Sequence, residues 1–463
     1  MADQSRTQGH SLAATQLVRS HTTSAVRLRD SAGQVLCTSA GVPTAVVQIE
    51  IDQVPRILSV ADRHTRALVI ARRHGRPVGG FYVSVRDGHV DMPRLHAELA
   101  RAISNKTWRW KVDEYVGAPP SAATRPECTV AICTRERPDD LTRALQAVCA
   151  LRPQPAAILV VDNHPATSRT REVVDGFPMV GYVREDHPGL DAARNRALTE
   201  ARTPVVAFTD DDAVPETDWL EHLLRPFADP RVRCSTGLTL PLELETPAQE
   251  WFERYSPFGR GFERRVFDGT RHDPVAVNLV GAGVNMAMRR SVLDELGGFD
   301  EALDAGTASR SGGDHEMFGR LLAAGHRIVY EPAAVSWHRH RRSWTELRDT
   351  LYGYGVGVYA MWTRRLLFER EPAVLRHAVR WLRHGQVPSL WRAVRRDPDS
   401  IPLDLQFAQL RGCAAGPWAY FRARREQREG MARPEAAQLP SGVGLGGPAS
   451  EGAGESEGRS PWE

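Results

Sequence analysis

Lysine is almost missing from this sequence. Of 60 basic residues only Lys106 and Lys111 are lysines, against 57 acidic residues. The net charge of +3 is close to balance, so composition gives no support to nucleic acid binding. The arginine bias fits a GC-rich genome, and it supplies planar forks suited to phosphate. Long apolar runs are missing as well. No stretch approaches the roughly 18 apolar residues of a spanning helix, and Val356–Trp362, the best candidate, is far too short. Met1 to Thr23 is polar and lacks the apolar segment of a secretory signal. Cysteines occur at 37, 128, 133, 149, 234 and 413, with no CxxC pair. Cys128 and Cys133 sit in an apolar run and read as reduced core residues, which excludes a zinc site or a disulfide framework there. These absences predict a cytoplasmic protein, or one peripheral at the inner face of the membrane.

What is present is ordinary globular material, 463 residues with 41% apolar and 25% charged content, enough for two or three domains. Residues 1–24 read as a disordered leader. Residues 25–117 form an accessory α+β module, with a strand at Val46–Ile51, a hairpin around Gly75-Arg76-Pro77 and a helix over Pro93–Ile103. A linker rich in Pro and Ala at 118–123 predicts that this module separates from the remainder of the chain. Strands and helices then alternate, as in a parallel sheet with right-handed crossovers, and the α/β domain spans 124–345. Residues 250–271 form an aromatic, arginine-rich insertion, suited to packing or to a lid. A helical extension covers 346–430, where Leu351, Tyr354, Val358, Trp362 and Leu366 recur at helical spacing. It packs on the α/β domain or presents a basic, aromatic face to anionic lipid. The tail, 431–463, is rich in Gly, Ser, Pro and Glu and reads as disordered.

The most informative segment is Val205-Val206-Ala207-Phe208-Thr209-Asp210-Asp211-Asp212. A β-branched and aromatic run that breaks into three acids predicts a buried strand carrying a site at its carboxyl end. Adjacent carboxylates repel, and a hard divalent cation such as Mn²⁺ or Mg²⁺ relieves them. A solvated loop or a helix cap is the plainer alternative.

Six further segments accompany it. They are Thr129–Pro138 with Thr134-Arg135-Glu136, Ile158–Asn163, His187–Ala197 with Arg194, Gly297-Gly298-Phe299-Asp300-Glu301, Gly312-Gly313-Asp314-His315-Glu316, and Trp337-His338-Arg339-His340. In this order the set resembles the family 2 inverting glycosyltransferases over about residues 126–345. The resemblance implies a GT-A fold, Rossmann-like with a mostly parallel sheet. It implies a nucleotide-diphosphate sugar donor contacted by Thr134, Arg135, Glu136, Asp162, Arg194, Asp210 and Asp211. Asp210, Asp212 and His338 then hold the metal, and Asp314 is the general base. The register within the triplet stays open because all three positions are Asp. The family commonly has two acids where this chain has Gly313-Asp314, so the role of base falls on Asp314 alone. Asp162-Asn163 serves equally as a turn, Arg194 as a helix anchor, and Asp314 as a capping group. Gly281–Arg290 resembles the acceptor-side segment, while its glycines also suit a strand bulge.

The expected activity is transfer of a sugar to a hydroxyl acceptor, on a glycan, a lipid-linked molecule or a small molecule, in polysaccharide or cell-envelope synthesis. One alternative is a sugar nucleotidyltransferase, which wants a Gly-rich, basic phosphate loop after the first strand. Thr134–Pro138 does not supply one. The other is a non-catalytic nucleotide-sugar-binding or scaffold protein.

Overall fold

The computed structural model of the protein describes residues 43–104, 125–395, 397 and 400–431. The expected leader, Cys37, the linker at 118–123, both lysines and the tail beyond Met431 lie outside them.

Four strands form the amino-terminal sheet in the order β1–β2–β3–β4: β1 (Thr44–Glu50), β2 (Arg66–Arg73), β3 (Arg76–Arg86) and β4 (His89–Val90). The β2–β3 hairpin turns through His74 and Gly75, both at positive φ (51° and 76°), where a tight turn favours glycine. Helix α1 (Met92–Ser104) covers one face of this sheet. Side chains alternate along β2. Ala67, Val69 and Ala71 face the core shared with Leu95 and Leu99 of α1. Leu68 and Ile70 face the other way, into the core of the large α/β domain. Arg66 adds a 2.8 Å pair with Glu250, and Arg72 pairs with Glu216. The module is therefore one layer of a shared structure, and the separation expected from the linker composition is absent from its packing.

The large sheet runs β11–β13–β10–β12–β8–β5–β6–β7, with β9 added beside β13. Its strands are β5 (Cys128–Thr134), β6 (Ala157–Asn163), β7 (Val180–Glu185), β8 (Val205–Asp210), β9 (Ala213–Pro215), β10 (Val232–Pro241), β11 (Arg265–Asp268), β12 (Asn285–Arg289) and β13 (Arg327–His338). β5, β6, β7 and β8 are mutually parallel, β10 and β13 are parallel to each other, and β12 is inserted antiparallel between β8 and β10. The crossover helices are α2 (Pro138–Cys149), α3 (Arg169–Asp175), α4 (Leu190–Glu200) and α5 (Trp219–Leu224). They are followed by α6 (Pro247–Tyr255), α7 (Val292–Leu296) and α8 (Gly313–Ala323). β5 is buried on both faces, which explains its uninterrupted apolar run: Val130 and Ile132 enter one core, Ala131 and Cys133 the other. Parallel pairing sets Thr134 opposite Asp162 and Cys133 opposite Asp210. Three motif residues thereby end at one edge of the sheet.

Residues 250–271 pack. Trp251, Phe252, Tyr255 and Phe258 cluster with Leu347 and Leu351, and Phe262 lies against the main core.

The carboxyl-terminal helices are α9 (Trp344–Phe368), α10 (Ala373–Trp381), α11 (Val387–Val394) and α12 (Leu403–Met431). A capping box between Ser343 and Glu346 opens α9. Of the expected stripe only Leu351 is fully buried. The helix instead buries Gly353, Gly355, Gly357, Val356 and Ala360, because it is gripped on several sides. A Cβ on Gly412 of α12 would lie 2.1 Å from the Tyr352 carbonyl oxygen, so bare backbone is what lets the two helices meet. On another side Arg364 of α9 reaches Glu316 of α8 at 2.6 Å. Among the described residues no helix is long and apolar enough to cross a membrane.

A chain begun at residue 124 loses the layer that covers the main core through Leu68 and Ile70. We expect it to aggregate or to melt well below the full chain. Equal melting temperatures would show that the two layers fold independently. Leu68→Ala should cost about 2–5 kcal/mol, within a single unfolding transition of the whole protein.

Candidate active site

The acid triplet closes β8 as its pattern predicts, and the three carboxylates have different surroundings. Asp211 is turned toward β5. Its Oδ2 accepts from Thr134 Oγ1 at 2.7 Å and its Oδ1 from Arg137 Nη1 at 3.1 Å. Asp212 accepts from the same Arg137 nitrogen at 2.9 Å through Oδ2, and its Oδ1 lies 3.1 Å from His338 Nε2. Arg341 stands 3.6 Å away. Burial alone would raise Asp212, but His338, Arg341 and Arg137 outweigh it and hold the carboxyl well below the usual range. Asp210 accepts no hydrogen bond from a described side chain. Burial and the neighbouring Asp212 push it up to about 7, and Asp211 is pushed up to about 6 for the same two reasons. The antiparallel β9–β13 pairing, His338 opposite Ala213, is what brings the imidazole to the triplet.

Asp210, Asp212 and His338 offer hard oxygens and an imidazole, a donor set that fits Mn²⁺ or Mg²⁺. Among the described residues no three acidic, imidazole or thiol side chains already converge as a metal site. The pair in contact is Asp212 and His338, and Asp210 is the carboxylate of the triplet that accepts no hydrogen bond from a described side chain. Behind them His338 Nδ1 faces His340 Nδ1 at 3.0 Å, and His340 Nε2 meets Glu253 Oε2 at 3.0 Å. Burial keeps the His340 imidazole well below its usual value and pushes Glu253 up to about 8. A chain of side chains thus fixes the orientation of His338 from behind.

At the carboxyl edge of β5 and β6, Glu136 organises the loop after β6, accepting from the Ala166 and Thr167 amides at 2.7 and 2.9 Å. Arg135 is exposed at the same edge. Asp162 is fully buried, with Oδ2 accepting from Tyr182 OH at 2.9 Å. Asn163 holds the Gly189 amide at 2.9 Å and thereby sets the start of α4.

Arg194 is buried and already neutralised. Its Nη1 bonds Asp191 at 2.9 Å and Asp304 at 2.6 Å. It lies under the site as an anchor, charge-coupled to Asp210 and Asp314. Asp314 opens α8. Its Oδ2 accepts from the Gly283 amide and its Oδ1 from the His315 amide, both at 2.7 Å. Burial works to raise it, yet His315, Arg194 and these two amides prevail, so the carboxylate stays ionised with lone pairs to spare. The glycine at 283 is required there, since a Cβ would lie 2.5 Å from Arg194 Nη2.

Gly313 has a comparable reason. A Cβ at that position would fall 1.7 Å from Asp191 Oδ2, so the carboxylate of α4 fills the space a side chain would need. That oxygen is buried with no hydrogen-bond partner. Glu316 is fully buried between Arg320 at 2.8 Å and Arg364 at 2.6 Å, which makes it a structural ion-pair residue. Sequence reading missed Arg137, Asp191 and Glu253. Arg137 had a signal, being an arginine between the end of β5 and the start of α2, at the ligand edge of the sheet.

Residues 129–297 match the family model for glycosyl transferase family 2. The pre-mycofactocin glycosyltransferase of Mycobacterium tuberculosis is 31% identical over 257 residues, covering 55% of this chain and 50% of its own. The chain thus spans about half the length of that relative. Glucosyl-dolichyl phosphate glucuronosyltransferase of Haloferax volcanii is 24% identical, covering 50% of this chain and 76% of its own. Among solved structures, the mannosyltransferase PcManGT from Pyrobaculum calidifontis, in complex with GDP-Man and Mn²⁺, aligns with a TM-score of 0.41 at 18% identity. That alignment covers 72% of this chain and 84% of the other.

Two substitutions separate chemistry from support. Glu316→Gln removes the buried carboxylate that the half-buried Arg320 and Arg364 share and should cost about 1–3 kcal/mol of stability. Gly313→Ala should destabilise as well, because the Asp191 carboxylate must move. Thermal melts unchanged in both variants would contradict these placements.

Proposed function

We propose that this chain, which carries a glycosyl transferase family 2 domain over residues 129–297, moves a sugar from a nucleotide-diphosphate donor to a hydroxyl acceptor with inversion. One observation carries the reading. Asp212 is backed by Arg137 and His338, a separate ionised carboxylate, Asp314, opens α8, and the Arg194 charge acts on both Asp210 of the triplet and Asp314. A single displacement at the anomeric carbon needs those two things, a place to stabilise the departing diphosphate and a base for the acceptor.

Thr134, Arg135, Glu136 and Asp162 bind the nucleotide at the carboxyl edge of β5 and β6, where open α/β sheets take ligands. Asp210, Asp212 and His338 hold a divalent cation, with Asp211 keeping Thr134 and Arg137 in position beside it. When bound, that cation supplies Lewis-acid neutralisation of the diphosphate. Arg137 and Arg341 add guanidinium donors suited to phosphate. Asp314 takes the proton of the acceptor hydroxyl, and the Gly283 and His315 amides orient its carboxylate for that transfer. Gly281–Arg290 supports an acceptor position beside Asp314, since Gly283 donates directly to it. The dolichyl phosphate in the Haloferax relative's name supports a lipid-linked acceptor, and with it a role in cell-envelope synthesis on the cytoplasmic side.

The test is release of nucleoside diphosphate from a panel of UDP-, GDP- and dTDP-sugars with Mn²⁺. Release should stop in EDTA, return when the ion is restored, and be lost in Asp212→Asn with the fold intact. Asp314→Asn should keep donor affinity while transfer falls roughly 10²–10⁴-fold. Undiminished transfer in that variant would remove Asp314 as the base.

A further inference from the structure

Among the described residues, large apolar side chains left in water are concentrated in one place: twelve of fifteen lie between Leu367 and Phe421. Six of them form a single stripe. Leu375, Val379 and Leu382 follow one another at spacings of four and three along α10, and Val387, Trp391 and Val394 repeat the same spacings along α11. The two helices are joined without a break by a π-helical turn, Leu382–Gln386. Val387 follows Leu382 at a spacing of five, and a π turn closes over five where an α turn closes over four. The extra residue keeps the second half of the stripe on the same face as the first. Without it, Val387 would rotate away by about one residue, or 100°. All six are 46–63% exposed, while Ala373, Val374, Gln386 and Ala393 are buried on the opposite side.

Within its own segment the stripe carries charge of one sign, and the acid that reaches it from outside, among the described residues, is Asp273, 2.7 Å from His377. Residues 372–396 contain six arginines and two histidines and no aspartate or glutamate. Among the described residues no carboxylate pairs with Arg376, Arg380 or Arg383, all of which are exposed. Arg395 lies 3.7 Å over the Trp391 ring. An apolar stripe with tryptophan, flanked by long cationic side chains, is the form that lies in a lipid interface. The apolar groups enter the acyl boundary while guanidinium groups reach headgroup phosphates. On α12, Phe407, Trp418 and Phe421 are also about half exposed or more.

We propose that α10, the π turn and α11 form a docking surface for a bilayer containing anionic lipid. The absence of any acid over residues 372–396 selects this occupant over a neutral membrane or a second copy of the same basic face, which would repel itself. The surface also has a route to the site. α9, which precedes it, holds α8 through Arg364 and Glu316, and α8 carries Asp314. The inference stands independently of the sugar-transfer reading.

The full chain is sedimented with vesicles of phosphatidylcholine alone and of phosphatidylcholine with phosphatidylglycerol. Binding should need phosphatidylglycerol, weaken with added salt, and shift the emission of Trp391 to the blue. Val379→Glu and, separately, the pair Arg380→Gln with Arg383→Gln should each weaken it by about tenfold or more. Melting temperature should be unchanged, because these side chains are exposed. Binding equal on both vesicles, or on neither, would overturn the proposal. So would dimerisation of the lipid-free protein that Val379→Glu abolishes, since the stripe would then be a subunit interface.

Discussion

Three consecutive carboxylates at the end of a buried strand are the constraint around which the sheet edge is organised. Asp210, Asp211 and Asp212 sit where the dielectric is low and mutual repulsion is strong. The chain meets that charge from two directions. Arg137, just past β5, bridges Asp211 and Asp212, and β13 returns antiparallel to β9 to deliver His338 and Arg341. The neutralisation is uneven: Asp212 is held ionised, whereas Asp210 is left near neutrality in its titration. That asymmetry gives the site its polarity, with one carboxylate committed to cations and one whose ionisation an arriving cation would favour.

The same economy governs the floor of the site. Arg194 is shared by Asp191 and Asp304 and lies in the field of Asp314. Because Asp191 fills the space beside Gly313, α8 can begin only with a residue lacking a side chain there, and the first ionised group on that helix is Asp314. The helix is then held from outside by Arg364 of α9 and by close glycine contacts between α9 and α12. The carboxyl-terminal helices therefore serve the site mechanically, while their far side presents the basic apolar stripe.

Much of this was legible in the residues. The triplet at a strand end, the alternation of strands and helices, and the hairpin at Gly75 all follow from local pattern, and short-range physics decides them. The separation of the amino-terminal module was misread, because the alternation of β2 tells which residues share a face but not that both faces are covered. Leu68 and Ile70 looked like any buried strand. The α9 stripe is only part of that helix's buried surface: Leu351, Tyr354 and Trp362 pack as the spacing implies, and a helix gripped on several sides buries glycines as readily as leucines. Asp211 and Arg194 were indistinguishable from free ligands in sequence, and Glu316 showed no role there. Only tertiary pairing shows that their charges are already spent on Thr134 and Arg137, on Asp191 and Asp304, and on Arg320 and Arg364.

The central claim is that the acid triplet binds a diphosphate only together with a cation. Calorimetric titration of UDP or GDP, whichever the donor screen selects, into the protein tests it without any acceptor or turnover. The account predicts heat of binding with Mn²⁺ present, none in EDTA, and loss of the Mn²⁺-dependent signal in Asp210→Asn and Asp212→Asn. Equal binding with and without the ion, or undiminished Mn²⁺-dependent binding in both variants, would contradict it.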